Sequence, residues 1–183
     1  MKKTLIFNGS PRSNGDTASL LKILTKNLDG EFKIVNCYKD KISPCVDCRK
    51  CREIDGCAIN DKMQEIYDYL IDCDNVVVAT PIYFSQPTGE FLNVASRFQR
   101  YFSQSYFNKN KPNLKAKKGS IILVGGGNGE WKPALKTIKD IMKMINVKEY
   151  SQPVVSHNTD NTPAINDENA VKTLLETAEF LNK

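Results

Sequence analysis

Apolar residues along this chain fall into short continuous runs, separated by longer stretches in which they recur every three or four positions. Thr4-Leu5-Ile6-Phe7 predicts a buried strand, and Thr17, Leu20, Leu21, Leu24 and Leu28 then recur at helical spacing. Phe32 to Cys37 alternates and predicts a second strand. Asp61 with Gln64 three residues on predicts a capped helix start, followed by a stripe of Met63, Ile66, Tyr67, Leu70 and Ile71. Asn75 to Thr80 is apolar throughout, as a central strand covered on both faces must be. One long helix is predicted from about Thr88 to Ser105, with Phe91, Ala95, Phe98 and Phe102 along one side. Gly119 to Gly125 predicts a fourth strand, and Pro133 opens a helix carrying Leu135, Ile138, Ile141, Met142 and Ile145. Glu149 to Ser156 predicts a fifth strand, and Asp167 caps a last helix with Val171, Leu174, Leu175, Ala178 and Leu181.

Five strands, each followed by a helix, predict an α/β fold: a doubly wound five-stranded parallel sheet in three α/β/α layers. No repeat or shift in composition divides the chain, so residues 1–183 are expected to form one domain with a cysteine-rich loop at about 43–60. The proportions, 40% hydrophobic and 26% charged, are those of a soluble globular protein. Net charge is +5, but only Lys109, Lys111, Lys115, Lys117 and Lys118 cluster, on a predicted solvated connection. No nucleic-acid partner is expected from so scattered a charge. Met1, Lys2 and Lys3 lead directly into a strand, which predicts a cytoplasmic protein with no signal peptide or membrane span. In that reducing compartment the six cysteines are expected as thiols or ligands, and Cys37 and Cys73, at the ends of apolar segments, as packing residues.

The connection between the first strand and the first helix carries the richest chemistry. Asn8-Gly9-Ser10-Pro11-Arg12-Ser13-Asn14-Gly15-Asp16-Thr17 combines two glycines, several neutral donors and one arginine at a helix N-terminus. Backbone N–H groups and the positive end of the helix dipole meet there, so the loop suits a terminal phosphate. An ordinary strand-to-helix loop is the alternative. The triphosphatase pattern GxxxxGK[ST] and the dinucleotide pattern GxGxxG are both absent, which favours a mononucleotide. Two further segments leave the carboxyl ends of strands: 80–85, with Pro81, Tyr83 and Phe84 as flat apolar surface, and 125–129, rich in glycine. In a doubly wound sheet such ends share one crevice where the strand order reverses, so a ligand with a phosphate at one end and a planar ring at the other would satisfy all three.

Cys45-x2-Cys48-x2-Cys51-x5-Cys57 forms a second constellation. Successive spacings of three resemble the compact run that wraps a [4Fe-4S] cluster. Zinc, which usually takes two more widely separated CxxC knuckles, and metal-free thiols are the alternatives.

With these motifs together, the chain resembles the NADPH-dependent FMN reductase branch of the flavodoxin-like fold, and within it the iron-sulfur flavoproteins. The resemblance spans nearly the whole chain and rests on GSPR-x-x-G-x-T, on Thr80-Pro81-Ile82-Tyr83-Phe84 and on the Gly125-Gly126-Gly127 loop, in that order. It implies that Ser10, Arg12, Asn14, Asp16 and Thr17 hold the FMN phosphate. Pro81, Ile82, Tyr83 and Phe84 would line the isoalloxazine, and Gly125, Gly126 and Gly127 would approach its pyrimidine edge. Asp16 departs from the more usual Asn, and a carboxylate repels phosphate, so Asp16 is expected to turn away and cap the helix. The implied activity is transfer of electrons from NAD(P)H, or from a reduced ferredoxin-like donor, through FMN to a small-molecule or redox-protein acceptor. No catalytic side chain is demanded, and His157 is expected to be an ordinary surface residue. Relatives of this kind form dimers or tetramers, and half of the aromatic residues lie between Tyr83 and Phe107, which places a homo-oligomer interface near that helix. Two other classes compete: a flavodoxin-like electron carrier without turnover, and a metal-binding module without flavin.

Overall fold

Successive residues of the strands face opposite sides of the sheet, and both sides are apolar. Leu5, Phe7, Val76, Val78, Ile121 and Leu123 belong to one buried cluster, while Ile6, Val77, Ala79, Ile122 and Val124 belong to another. That is why these runs read as unbroken hydrophobic segments. The computed structural model describes residues 1–109 and 112–183. Its strands are β1 (Lys3–Asn8), β2 (Glu31–Asn36), β3 (Asn75–Tyr83), β4 (Gln86–Pro87), β5 (Lys117–Val124), β6 (Val147–Tyr150) and β7 (Val154–Ser156). Its helices are α1 (Asp16–Lys26), α2 (Met63–Asp72), α3 (Gly89–Ser96), α4 (Gln99–Tyr106), α5 (Lys132–Met144) and α6 (Glu168–Asn182).

The sheet order is β2-β1-β3-β5-β6, all parallel, with β7 also parallel to β5 and β4 folded back antiparallel on β3. Leu20 and Leu24 of α1 and Leu174 and Leu181 of α6 cover one face. Met63 and Ile66 of α2, Phe91 of α3, Tyr101 of α4 and Ile138 of α5 cover the other. This is the flavodoxin-like doubly wound architecture that the pattern predicts, with five core strands and two short additions. Because the chain passes from β2 at the edge back across β1 to β3, the strand order reverses between β1 and β3, and a crevice opens at their carboxyl ends.

Three departures have physical causes. The expected fifth strand is broken into β6 and β7: Pro153 has no N–H to give the ladder, and the register against β5 shifts between Lys117 and Lys118. The expected single helix from Thr88 to Ser105 is broken at Arg97-Phe98, where the Arg97 and Phe98 amides bond only three residues back, to the Val94 and Ala95 carbonyls at 3.1 and 3.0 Å. The Arg97 carbonyl accepts instead from Tyr67 Oη at 2.9 Å. Lys117, expected in a solvated cluster, is buried at the start of β5, with Nζ donating to the Lys115 carbonyl at 2.6 Å, and burial lowers its pKa. Lys111 of that cluster lies outside the described residues. Ile71 and Leu175 are exposed, one position off the stripes their helices bury. No helix among the described residues is long and apolar enough to cross a membrane.

Candidate functional site

The phosphate-loop candidate is held from three sides. Gly9 donates to the Ala79 carbonyl at 2.8 Å, and Thr88 Oγ1 donates to the Gly9 carbonyl at 2.8 Å. A Cβ on Gly9 would stand 2.9 Å from Thr80 Oγ1, so the loop can approach β3 only with glycine there. Asn8 Oδ1 accepts the Ser10 amide at 3.0 Å, and the Arg12 amide reaches Ser10 Oγ at 3.3 Å. Gly15 precedes α1 and brings no side-chain cap to its first-turn amides, which leaves that helix end to other acceptors.

Ser10, Arg12, Asp16 and Thr17 line a crevice of about 150 Å³ together with Pro81, Ile82, Tyr83 and Gly126. Eight of the expected site residues therefore meet in one place. Asn14, Phe84, Gly125 and Gly127 do not line it. Phe84 is fully exposed at 102%, on a backbone with φ of 52°, beyond the end of β3. Gly125 donates to the Ser156 carbonyl at 2.8 Å, and Gly127 accepts from the Asn158 amide at 3.1 Å, so both tie their loop to the segment after β7. Asp16 neither caps α1 nor turns wholly away: it lines the crevice while Oδ1 accepts the Ala164 amide at 2.8 Å, binding α1 to the turn before α6.

The segment after β7 reads as a plain polar loop, yet it supports the glycines. A Cβ on Gly125 would lie 2.9 Å from His157 Nδ1, and one on Gly126 would lie 2.8 Å from Asp160 Oδ2. Thr159 lines the crevice and donates to the Gly125 carbonyl at 3.2 Å. His157 is half-buried, and its Nδ1 is buried without a hydrogen-bond partner, in contrast to the expected surface residue. Nothing in the sequence signals these roles, because they arise from the pairing of β7 with β5.

The cysteine loop closes over a second cavity, of about 400 Å³, lined by Cys45, Cys48, Cys51 and Cys57. Cys45 and Cys48 are exposed, Cys51 and Cys57 half-buried, and all four are free thiols. The loop is fastened at its ends. Arg97 Nη1 donates to the Ser43 carbonyl at 2.9 Å and to Asp61 Oδ2 at 2.8 Å, and its Nη2 donates to the Ile59 carbonyl at 3.1 Å. Asp61 also accepts the Ser43 and Met63 amides at 2.9 and 3.0 Å. Burial pushes the Asp61 carboxyl up, but the bonds from Arg97, Ser43 and Met63 outweigh it and hold its pKa below the ordinary value. Gln64 does not complete the expected capping box; it donates to the Ile59 carbonyl at 2.7 Å.

The expected cluster ligands thus ring one cavity, but among the described residues no three His, Cys, Asp or Glu side chains gather as they must around one ion. That disfavours zinc, whose thiolates sit about 2.3 Å from a common centre. The geometry alone does not support a [4Fe-4S] site either. Cys37 and Cys73 pack as expected, and burial pushes both thiols up to about 12.

The family model for NADPH-dependent FMN reductases matches residues 2–161. An iron-sulfur flavoprotein of Methanocaldococcus jannaschii is 32% identical over 142 residues, covering 75% of this chain and 69% of its own. An iron-sulfur flavoprotein of Methanosarcina thermophila is 28% identical over 185 residues, covering 96% and 91%. The solved FMN-dependent NADH-azoreductase of Bacillus anthracis in complex with FMN superposes over 100% of both chains, with a TM-score of 0.71 at 18% identity, a likeness of fold. The switch-point crevice and these matches agree, and the chain belongs to the NADPH-dependent FMN reductase family of flavoprotein oxidoreductases.

Proposed function

We propose that this chain binds FMN in the crevice at the ends of β1 and β3, takes electrons from NAD(P)H, and passes them to a small-molecule or redox-protein acceptor. The observation that carries this reading is the meeting of Ser10, Arg12 and Thr17 with Pro81, Ile82 and Tyr83 in that one crevice. Bound FMN supplies the chemistry, accepting a hydride and releasing electrons in pairs or singly. The protein's residues do the rest. Arg12 and the first-turn amides of α1 neutralise the phosphate, Ser10 and Thr17 orient it, and Pro81 with Tyr83 keeps water from one side of the ring. The Gly126 backbone can come close to the ring edge and offer a hydrogen bond to charge developing there. Anaerobic rapid mixing tests the reading: NADPH or NADH should bleach the flavin absorbance within the turnover time. A flavoprotein that neither nicotinamide reduces would be a carrier of the flavodoxin type.

Cys45, Cys48, Cys51 and Cys57 are the residues that would hold a [4Fe-4S] cluster, which adds a one-electron centre. Three things support this: the compact spacing, the single cavity that all four line, and the name shared by the iron-sulfur flavoproteins of two archaea. A cluster is broader than one ion, so its thiolates need not converge as zinc ligands do. Anaerobic reconstitution with iron and sulfide should load about four irons per chain, and Cys48→Ala should abolish the loading. Equal iron in the variant and the wild type would remove the assignment.

The working form is a homodimer or tetramer in the cytoplasm. An apolar groove runs between α3–α4 and α5, lined by Leu92, Ala95, Phe98, Phe102, Ile141 and Met144, and Phe102 and Met144 are exposed on it. Light scattering at micromolar concentration should give at least twice the chain mass, and Phe102→Glu should halve it. A wild-type monomer would contradict this arrangement.

A further inference from the structure

We propose that Phe84 is a substrate-binding residue, one that holds an uncharged, flat conjugated acceptor of the quinone class at the edge of the crevice. The inference rests on the reading that the crevice binds FMN and that a small molecule takes the electrons.

Pro81, Ile82 and Tyr83 line the crevice in succession, and Phe84 is the next residue, in the turn between β3 and β4. Tyr83 pairs with Gln86, so Phe84 and Ser85 alone make the connection, with φ of 52° and 59°. Two consecutive left-handed residues characterise the turn whose twist matches the strands it joins, and Asn and Gly are the residues that adopt it readily. A bulky aromatic is an outlier there, because its Cβ crowds the backbone at positive φ. Burial does not compensate. Phe84 is fully exposed, at 102%, and Tyr83 beside it is 43% exposed. Phe84 therefore costs backbone strain and apolar exposure while gaining no packing within this chain. Strain of this kind persists where the surroundings over-determine the backbone, and it gathers at ligand-binding positions.

The base of the hairpin supplies that constraint. Thr80 and Thr88 are both wholly buried, and the Thr88 amide donates to Thr80 Oγ1 at 3.2 Å. Thr88 Oγ1 ties the same point to the phosphate loop through the Gly9 carbonyl at 2.8 Å, and Gln86 Oε1 accepts from Thr137 Oγ1 of α5 at 3.0 Å. The turn that carries Phe84 thus stands on a fixed base beside the crevice.

The chemistry around the turn defines what it can hold. An exposed aromatic face gains most from a flat apolar partner that stacks on it. Residues 80–90 contain no Lys or Arg and one carboxylate, Glu90; residues 125–131, the glycine loop and its exit, contain no Lys or Arg and one carboxylate, Glu130. Neither segment offers a cation to an anionic acceptor, and both carboxylates repel one, so the favoured ring is uncharged. The reaction balances without a further reagent: NAD(P)H and one proton from water convert a quinone to its hydroquinone and leave NAD(P)+, with two electrons passing in all.

The test is equilibrium binding of quinones to the oxidised, FMN-loaded protein, read without turnover from the flavin difference spectrum. Uncharged 2-methyl-1,4-naphthoquinone should bind at least about tenfold more tightly than 1,4-naphthoquinone-2-sulfonate. Phe84→Asn should weaken the uncharged quinone about tenfold, and Phe84→Tyr, which keeps the ring, should stay within about threefold of wild type. Because Asn suits the left-handed backbone, flavin-free Phe84→Asn should melt about 2–4 °C above flavin-free wild type. Unchanged quinone affinity in Phe84→Asn would overturn the proposal, as would equal binding of the sulfonate. A lower melting temperature would overturn it too, by showing that Phe84 packs within the fold. An equal loss of FMN affinity would assign Phe84 to the flavin, and dissociation of an oligomer into monomers would assign it to a subunit contact; either overturns the acceptor role. A wild type that binds FMN and is reduced by NADPH but binds no quinone would overturn the acceptor role and leave the reductase standing. A wild type that binds no FMN would overturn both readings.

Discussion

Replacing Arg12 with Ala is expected to weaken FMN binding roughly 10- to 150-fold while leaving riboflavin binding within about threefold of wild type. The contrast follows from the placement of the side chain. Arg12 lines the crevice beside Gly15, where a Cβ on the glycine would lie 3.1 Å from Arg12 Cβ. Its guanidinium is a surface group with no ion pair to a carboxylate among the described residues. Removing it therefore strands no buried carboxylate, and the loss should appear in binding and not in folding. A charge-assisted bond contributes about 1.5–3 kcal/mol, and two charges on the phosphate allow a forked contact. Titrating the protein, stripped of flavin, with FMN and with riboflavin by fluorescence quenching gives the ratio directly. Equal loss for the two ligands would show that Arg12 does not reach the phosphate.

Arg97→Met is expected to cost about 3–5 kcal/mol of folding stability, because it leaves the buried side of Asp61 without its cation. The two carboxylate oxygens of Asp61 would keep only the Ser43 and Met63 amides, the Ser43 carbonyl would lose its side-chain donor, and the Ile59 carbonyl would keep only Gln64. Both ends of the cysteine loop lose their bonds to Arg97 at once and stay joined only by the Ser43 amide on Asp61, so proteolysis between residues 43 and 61 should accelerate as well. The double variant Arg97→Met/Asp61→Leu should recover part of the loss, since no buried charge is then left unpaired. Urea unfolding monitored by circular dichroism measures all three proteins. The pH dependence has a definite sign. The native pKa of Asp61 lies below that of an unfolded aspartate, about 3.9, so its contribution is complete above that value and is lost as pH falls through the native one. The gap between wild type and Arg97→Met should thus narrow as pH falls, because without Arg97 burial raises the Asp61 pKa and the stranded carboxylate is relieved by protonation, while wild type loses the contribution of its own pair at low pH. A loss of less than about 1 kcal/mol would mean that Arg97 is no more than a surface-like ion pair.

The layers of the fold could be read from one-dimensional patterning. Val76 to Ala79 is buried on both faces, and Leu20, Leu21 and Leu24 repeat on one helical face, so burial acts on each run separately and leaves a local signature. The phosphate loop is legible for the same reason, because Ser10, Arg12 and Thr17 are neighbours in sequence and serve a helix end that lies within the same stretch. The cysteine spacing is local too. What could not be read depends on partners far along the chain. Arg97 breaks the long helix because Tyr67 and both ends of the cysteine loop compete for its polar groups, and those lie 30 to 54 residues away. Lys117 looked like part of a solvated charge run, but the register of β5 carries it inside. His157, Thr159 and Asp160 support the glycine loop only because β7 pairs with β5 and brings their turn beneath Gly125 and Gly126. Local burial and capping act through neighbouring residues and so mark the sequence; side-chain partnerships across the sheet carry no such mark, since their spacing is set by topology.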